Sequence, residues 1–160
     1  CLVGPDIQVF HDQALYKPAQ HGGAVHWHQD NGYWRCDPPN LVSIWMPWDD
    51  ADEDNGCMTM IPGSHREGAA SHERAATEKG ENPSLLMADV DESKAVRVPI
   101  KAGYGLLHHC RTLHSTAPNR SERDRRAMVV HYMSSGTRNA QGAVMTDNLV
   151  LRGSGPDATA

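Results

Sequence analysis

The segment HWHQD, residues 26 to 30, places His26, His28 and Asp30 at alternate positions. Side chains at positions i and i+2 of a β-strand point to the same face, so these three groups would line up together. Two imidazoles and one carboxylate on one face of a metal ion, with the other positions open, is an arrangement that iron(II) sites use. The segment therefore predicts part of a metal site, which needs a further ligand from elsewhere in the chain.

The further ligand can come from the segment LLHHCRTLHSTAPN, which contains His108, His109 and His114. His114 follows His28 by 86 positions, a separation that is ordinary in an all-β fold whose strands pair non-locally. The pattern by itself leaves two other interpretations open. The chain has ten histidines, so the cluster could be a histidine-rich surface, and a catalytic zinc ion with three protein ligands is also possible.

The basic run RSERDRR, residues 120 to 126, can supply a group that binds an organic co-substrate. The planar guanidinium of arginine makes two parallel hydrogen bonds to a carboxylate. In a strand that begins near residue 124, Arg125 shares a face with Ala127 and His131, while Arg126 lies on the other face. One of the two arginines should therefore point inward. A nucleic-acid-binding patch is the alternative, but the net charge of -5 disfavours it.

Short runs with strand-like composition alternate with turn-forming residues along the chain. The predicted strands are 7–17, 24–30, 41–48, 57–61, 95–100, 104–109 and 126–133. Their number favours an all-β sandwich or barrel, and the length of 160 residues favours a single domain over residues 1–150. Between two of these strands, Asn55-Gly56 predicts a tight hairpin turn because both positions tolerate positive φ.

The segment 64–94 is polar and lacks the alternation of a strand. We interpret it as a long excursion from the sheet, with a short helix around residues 70–79. Such an excursion is either a lid over a substrate or a surface loop. Residues 151–160 are expected to be frayed.

Composition indicates the class of protein and the compartment in which we expect it. No run approaches the roughly 18 apolar residues of a membrane helix. The four cysteines form no CxxC pair, which indicates free thiols in a reducing compartment. We therefore expect a soluble, cytoplasmic protein that acts on a small molecule and binds neither membranes nor nucleic acid. The chain begins at Cys1 without a leader-like segment, which suggests a piece of a longer protein that lacks its N-terminal part.

Together these features resemble the phytanoyl-CoA dioxygenase family of iron(II)- and 2-oxoglutarate-dependent oxygenases. In chain order, the matching elements are LVGPDI, ALYKP, HQD at 28–30, LVSIW at 41–45, NGCMTMIPGSH at 55–65, Gly103 eleven residues before His114, and Arg125 eleven residues after it. The resemblance extends to about residue 133. The combination of motifs is specific, whereas the HxD pattern alone is not.

The resemblance implies that His28, Asp30 and His114 bind iron(II). It also implies that Arg125 binds the distal carboxylate of 2-oxoglutarate. Halogenating relatives carry a small residue in place of the carboxylate ligand, so Asp30 favours hydroxylation.

The resemblance assigns further residues to the surroundings of the metal. Trp45 and Thr116 correspond to residues that line the co-substrate pocket, and Gln29 lies beside the metal. His26 and His109 would support the site without binding the ion.

The implied fold is a double-stranded β-helix, or jelly roll, with iron between its two sheets. The implied reaction consumes O2 and 2-oxoglutarate, hydroxylates an unactivated C–H bond of a small organic or acyl substrate, and releases succinate and CO2. The alternatives are a non-catalytic jelly-roll binding module and a zinc-dependent hydrolase on a similar scaffold. The first would not need all four site residues, and the second would leave Arg125 without a role.

Overall fold

Two antiparallel β-sheets form the framework of the computed structural model, which describes residues 2–74 and 85–156. The strands are β1 (Ile7–Lys17), β2 (Val25–His28), β3 (Leu41–Pro47), β4 (Met58–Met60), β5 (Glu73–Arg74), β6 (Leu86–Met87), β7 (Val96–Val98), β8 (Leu106–His109), β9 (His114–Thr116), β10 (Arg125–Ser134) and β11 (Val150–Arg152). A single α-helical turn, α1 (Asp30–Trp34), and 3-10 turns at Ser64–Glu67 and Glu92–Lys94 complete the described elements.

The larger sheet has the strand order β11-β1-β10-β3-β8, and the smaller has the order β2-β9-β4-β7. Successive strands alternate between the sheets, because β2 and β4 belong to the smaller sheet whereas β3 belongs to the larger. This winding confirms the predicted all-β jelly roll. Each of the seven predicted runs contains a strand, whereas β5, β6, β9 and β11 were not predicted.

The inward face of β10 provides one wall of the interior. Arg125, Ala127, Val129 and His131 are buried along it, whereas Arg126 is exposed, so the two arginines lie on opposite faces as predicted and Arg125 is the inward one. The strand pairs with β1 on one side and with β3 on the other, so both neighbouring strands fix its register. The polar groups on this face consequently lie between the two sheets.

Two apolar clusters lie at the ends of this interior, and the first of them joins the two sheets. One cluster packs Trp45 of β3 and Val129 of β10 against Met58 and Met60 of β4. A second cluster contains Leu41, Cys110 and Met133. Burial of these side chains stabilises the sandwich by removing apolar surface from water. The space between the two clusters is where polar side chains gather.

The loop around Asn55 and Gly56 does not form the predicted hairpin. It connects β3 to β4, which lie in different sheets and do not pair with each other. Asn55 is fully buried, and its side chain holds the loop by accepting from Asp52 N at 2.8 Å and donating to Asp50 O at 2.7 Å. Gly56 has a φ of 84°, so the dipeptide does provide positive φ, but for a crossing between sheets.

The same loop explains the basic run of the sequence. Arg123 pairs with Asp52 at 2.6 Å, and Arg126 pairs with Asp49 at 2.7 Å. Exposed pairs of this kind contribute little to stability, because solvent screens the two charges. They do, however, neutralise two arginines of the run locally. Arg125 is left as the buried member.

The excursion from 64 to 94 and the chain end differ from expectation where they are described. Residues 70–74 are not helical, and Glu73–Arg74 pairs with Leu86–Met87; the remainder of the predicted helix, 75–79, lies outside the described residues. Val150–Arg152 pairs with the start of β1, so positions 151 and 152 are not frayed. Within the described part of the chain, no helix has the length and apolar character to cross a membrane.

Substitution of Gly56 tests the crossing loop. A Cβ at Gly56 would collide with the carbonyl oxygen of Ala117 and would also carry the strain of positive φ. Gly136 has a similar φ of 87° but open space around it. We expect Gly56→Ala to lower the free energy of unfolding by about 1–3 kcal/mol more than Gly136→Ala, measured by urea denaturation. Equal losses of unfolding free energy in the two variants would show that the loop rearranges around the new Cβ atom without losing stability.

Candidate metal centre and adjoining cavity

Three potential ligand side chains converge between the sheets. His28 ends β2, His114 begins the neighbouring β9, and the two residues are partners in the strand register. Asp30 Oδ1 lies 3.7 Å from His28 Nε2 and 3.5 Å from His114 Nε2. One donor atom from each residue falls within 4.8 Å of the other two, and all three residues are buried. The arrangement has the size of a mononuclear metal site.

The local backbone brings Asp30 into this group in an unexpected way. The predicted strand 24–30 stops at His28, Gln29 is extended, and Asp30 opens the helical turn α1. His26 therefore does not share one strand face with Asp30, which corrects the alternation argument. It contributes its backbone carbonyl instead, as an acceptor for the ring of His28.

Hydrogen bonds orient both imidazoles towards the same point. His28 Nδ1 donates to His26 O at 2.8 Å, and His114 Nδ1 donates to Thr112 O at 2.9 Å. In a neutral ring, the Nε2 atom is then unprotonated and available as a ligand. Burial, helped by the nearby His28, lowers the pKa of His114 to about 3, so this ring is neutral near physiological pH.

Asp30 supplies the negative charge of the site. Burial alone would raise its pKa, but the adjacent rings of His114, His108 and His28 outweigh burial and hold the pKa well below its usual range. Ser43 Oγ also donates to Oδ2 at 2.9 Å. Two neutral imidazole nitrogens and one ionised carboxylate are a donor set that suits a divalent first-row metal ion.

A cavity of about 520 Å³ opens beside these residues. Arg125, Trp45 and Thr116 are among the residues that line it. Among the described residues, Arg125 Nε and Nη1, Trp45 Nε1 and Thr116 Oγ1 are buried without a hydrogen-bond partner. The guanidinium carbon of Arg125 lies 5.3 Å from the centre of the Trp45 ring. Buried donors in a cavity need an acceptor, so this wall suits an anionic ligand.

Comparison with known proteins identifies the family. The family model described as "Phytanoyl-CoA dioxygenase (PhyH)" matches residues 2–127. The chain belongs to this family. A phytanoyl-CoA dioxygenase domain-containing protein 1 homolog of Caenorhabditis elegans is 32% identical over 126 residues, which are 74% of this chain and 44% of that protein. The chain thus spans less than half of this family relative.

Solved structures show the same fold. A non-heme monooxygenase, ThoJ, superposes with a TM-score of 0.80 at 28% identity, covering 98% of this chain and 56% of that one. EvdO2 from Micromonospora carbonacea var. aurantiaca, determined in complex with 2-oxoglutarate, gives 0.70 at 29% identity over 94% of this chain and 56% of its own. The match therefore extends over nearly the whole of this chain and about half of each solved chain.

Gln29 lies elsewhere than the family resemblance implied. Its side chain donates to Gly68 O at 2.9 Å and Arg111 O at 2.8 Å, and accepts from Ala70 N at 2.9 Å. These bonds use both amide hydrogens and one acceptor site of the amide oxygen, and Gln29 is absent from the cavity wall. It fixes the loops behind the histidines. His109 also faces away from the cavity, with its ring 5.5 Å from that of His65.

Two polar residues near the site, Ser43 and His131, were not predicted as functional residues, and His108 was considered only as a possible metal ligand. Ser43 and His108 contact Asp30, and His131 contacts Ser43. All three are buried on inward strand faces. A signal existed for them, because a polar residue that alternates with large apolar ones points into the core. That signal does not reveal which partner it meets.

Lys17 is a further residue of the cavity wall, directly opposite Arg125 in the register of β1 and β10. Its ammonium donates to the carbonyl of Gly23 and, at 2.8 Å, to that of Ala117. Burial, and then repulsion from Arg125, lower the pKa of Lys17 to about 7. Near neutral pH, Arg125 is therefore the more durable positive charge, although burial lowers its own pKa to about 10.

The pKa of Lys17 leads to a prediction about stability. From about pH 7 to 10.5, an unfolded chain holds a proton on this residue that the folded protein has released. The unfolding free energy that depends on Lys17 therefore rises with pH across this window, by at most about 1.4 kcal/mol per pH unit. We expect the unfolding free energy of the wild type minus that of Lys17→Met to increase with pH over this range, as measured by urea denaturation at several pH values. A constant or falling difference would mean that folded Lys17 keeps its proton.

Proposed function

We propose that the protein is a non-heme, iron(II)- and 2-oxoglutarate-dependent dioxygenase. It would hydroxylate a C–H bond of a small organic or acyl substrate and release succinate and CO2. The observation that carries this proposal is the position of the His28, Asp30 and His114 donor atoms beside a cavity lined by unpartnered Arg125 donors. Family membership supports the same conclusion.

His28, Asp30 and His114 would hold the iron. Their two neutral nitrogens and one carboxylate oxygen leave the remaining coordination positions open. Iron(II), when bound with 2-oxoglutarate and O2, supplies the oxidative decarboxylation that inserts one oxygen atom into the substrate and gives the other to succinate. The three side chains set the position of this chemistry between the sheets. The presence of Asp30, where a halogenating relative has a small residue, favours hydroxylation.

Arg125 would bind the far carboxylate of 2-oxoglutarate. Its Nε and Nη1 atoms are buried and lack partners within the described residues, so a carboxylate there would satisfy both. Trp45 packs beneath the guanidinium and Thr116 offers a hydroxyl on the same wall. A zinc hydrolase or a simple binding module gives no reason for these donors to be aligned beside a metal-ligand set.

The substrate would enter the same cavity. Its wall also includes aromatic and polar side chains, those of His11, Gln13, Tyr33, Trp34 and His131. The ring of Trp34 packs edge-on against that of His131, with centroids 4.6 Å apart. These surfaces suit an uncharged organic group.

The metal assignment predicts a spectroscopic result. Anaerobic addition of iron(II) and then 2-oxoglutarate to the purified protein should produce the weak visible charge-transfer band of the chelated complex. The band should be lost in His114→Ala and in Asp30→Ala, because each variant removes one of the three ligands. His109→Ala, which alters a ring that faces away from the cavity, is the matched control. A band that survives in Asp30→Ala would contradict the ligand assignment.

The co-substrate assignment predicts a difference between neighbouring arginines. Arg125→Ala should weaken 2-oxoglutarate binding roughly 10- to 100-fold, since it removes charge-assisted hydrogen bonds to the distal carboxylate. Arg126→Ala removes the adjacent positive charge, which is exposed and paired with Asp49, and should leave binding unchanged. Titration of the charge-transfer band with 2-oxoglutarate measures both. Equal affinities for the two variants would mean that another residue binds the carboxylate.

A further inference from the structure

The two oxygens of the Asp30 carboxylate lie in different surroundings. Oδ1 faces the ring nitrogens of the ligand pair, 3.7 Å from His28 Nε2 and 3.5 Å from His114 Nε2. Oδ2 is turned away from them, 2.9 Å from Ser43 Oγ and 3.2 Å from His108 Nε2. The proposed ligand set therefore has one carboxylate oxygen free for a metal ion and one already engaged.

The direction of each hydrogen bond follows from the charge of Asp30. An ionised carboxylate only accepts, so Ser43 must donate its single hydroxyl hydrogen to Oδ2. His131 Nδ1 lies 2.7 Å from the same hydroxyl oxygen and must then be the donor to it. The series runs from His131 Nδ1–H to Ser43 Oγ–H to Asp30 Oδ2. This order fixes one tautomer of the His131 ring.

The remaining ring nitrogens agree with this order. His108 must donate to Asp30 from Nε2, because an ionised carboxylate only accepts. Within the described residues, His131 Nε2 lacks a hydrogen-bond partner. With its proton on Nδ1, the His131 ring therefore leaves no N–H group unpaired. Burial lowers the pKa of His131 to about 4, which is consistent with a neutral ring.

We propose that Ser43 and His108 are positioning residues that restrict Asp30 to coordination through Oδ1, with His131 orienting the Ser43 hydroxyl. This inference rests on the proposed function, because it requires a metal ion at His28, Asp30 and His114. The hydrogen bonds from Ser43 and His108 to Oδ2 must both break before that oxygen can turn to the metal. A carboxylate that used both oxygens would occupy one more of the positions that such a site keeps open.

A different role for His108 would be direct ligation. Its ring centroid lies 4.7 Å from that of His114, so the ring is close to the ligand set. Its Nε2 atom, however, already donates to Asp30 Oδ2, and the residue is outside the group whose donor atoms lie within 4.8 Å of one another. The geometry therefore favours a donor that acts through Asp30.

Cobalt(II) is a suitable probe, since its visible absorption reports coordination number and ligand type without turnover. We expect His108→Phe and Ser43→Ala to weaken cobalt(II) binding roughly 10- to 100-fold and to change the shape and intensity of the absorption. His108→Gln keeps an N–H donor at a similar reach and should recover most of the wild-type affinity and spectrum. His109→Phe, on the same strand but facing His65, should match the wild type.

The outcomes separate this inference from the proposed function. Wild-type affinity and spectra in both His108→Phe and Ser43→Ala would overturn the positioning role and leave the metal site intact. A His108→Gln spectrum that lacks one nitrogen ligand would overturn it in favour of direct ligation. Failure of the wild-type protein to bind cobalt(II) would overturn the proposed function, and with it this inference.

A second measurement needs neither metal nor a variant. Nitrogen-15 chemical shifts of the histidine rings distinguish the two neutral tautomers and the charged form. His131 should carry its proton on Nδ1, with Nε2 unprotonated, in the metal-free protein. Observation of the Nε2–H tautomer would reverse the hydrogen-bond order at Ser43 and contradict the proposal, even if a variant failed to fold.

Discussion

The carboxylate of Asp30 is buried between the two sheets, and a buried negative charge must be matched by donors at the same place. Ser43 of β3 and His108 of β8 provide two of these donors from the larger sheet. His28 and His114 approach from the smaller one. The polar residues in otherwise apolar strands are thus explained by one charge. Their cost in burial is offset by hydrogen bonds, because Ser43 and His108 donate to Asp30 and the rings of His28 and His114 donate to backbone carbonyls.

Charged groups of both signs line the cavity. Negative charge is fixed at Asp30, whereas Arg125 and the partly protonated Lys17 stand at the opposite wall. A dicarboxylic acid that reached from a metal ion to Arg125 would satisfy the donors that the protein leaves unmatched. The exposed arginines near it are already paired with the loop that follows β3, so they do not compete for such a ligand.

Local periodicity made part of this structure predictable. The period of two along β10 correctly placed Arg125 and Arg126 on opposite faces, because strand alternation depends only on neighbouring residues, and the family resemblance selected Arg125 as the functional one. The sequence motifs also brought together His28, Asp30 and His114, although spacing alone left three candidates for the last ligand. The extended chain was nevertheless assumed to continue through Asp30, where a helical turn begins.

Features that depend on distant partners were not predictable in this way. Asn55-Gly56 has the composition of a hairpin turn, but whether the flanking strands pair depends on which sheet each one joins. Likewise, contact between His108 and Asp30 spans 78 positions of the chain. Gln29 lies between two proposed ligands in sequence, yet its amide is consumed by backbone groups of two loops. The position of Gln29 between two proposed ligands in the sequence therefore did not place its side chain in the cavity wall.

The double pairing of β10 has a consequence for how this sequence can change over evolution. Arg125 and His131 reach the cavity because they occupy alternate positions of one strand that is held by β1 and β3. Replacing one side chain alters one group. Inserting or deleting a single residue within the strand would instead reverse the facing of every position beyond it. Met128, Val130 and Tyr132 would then replace the polar lining, so β10 should accept substitutions far more readily than changes in length.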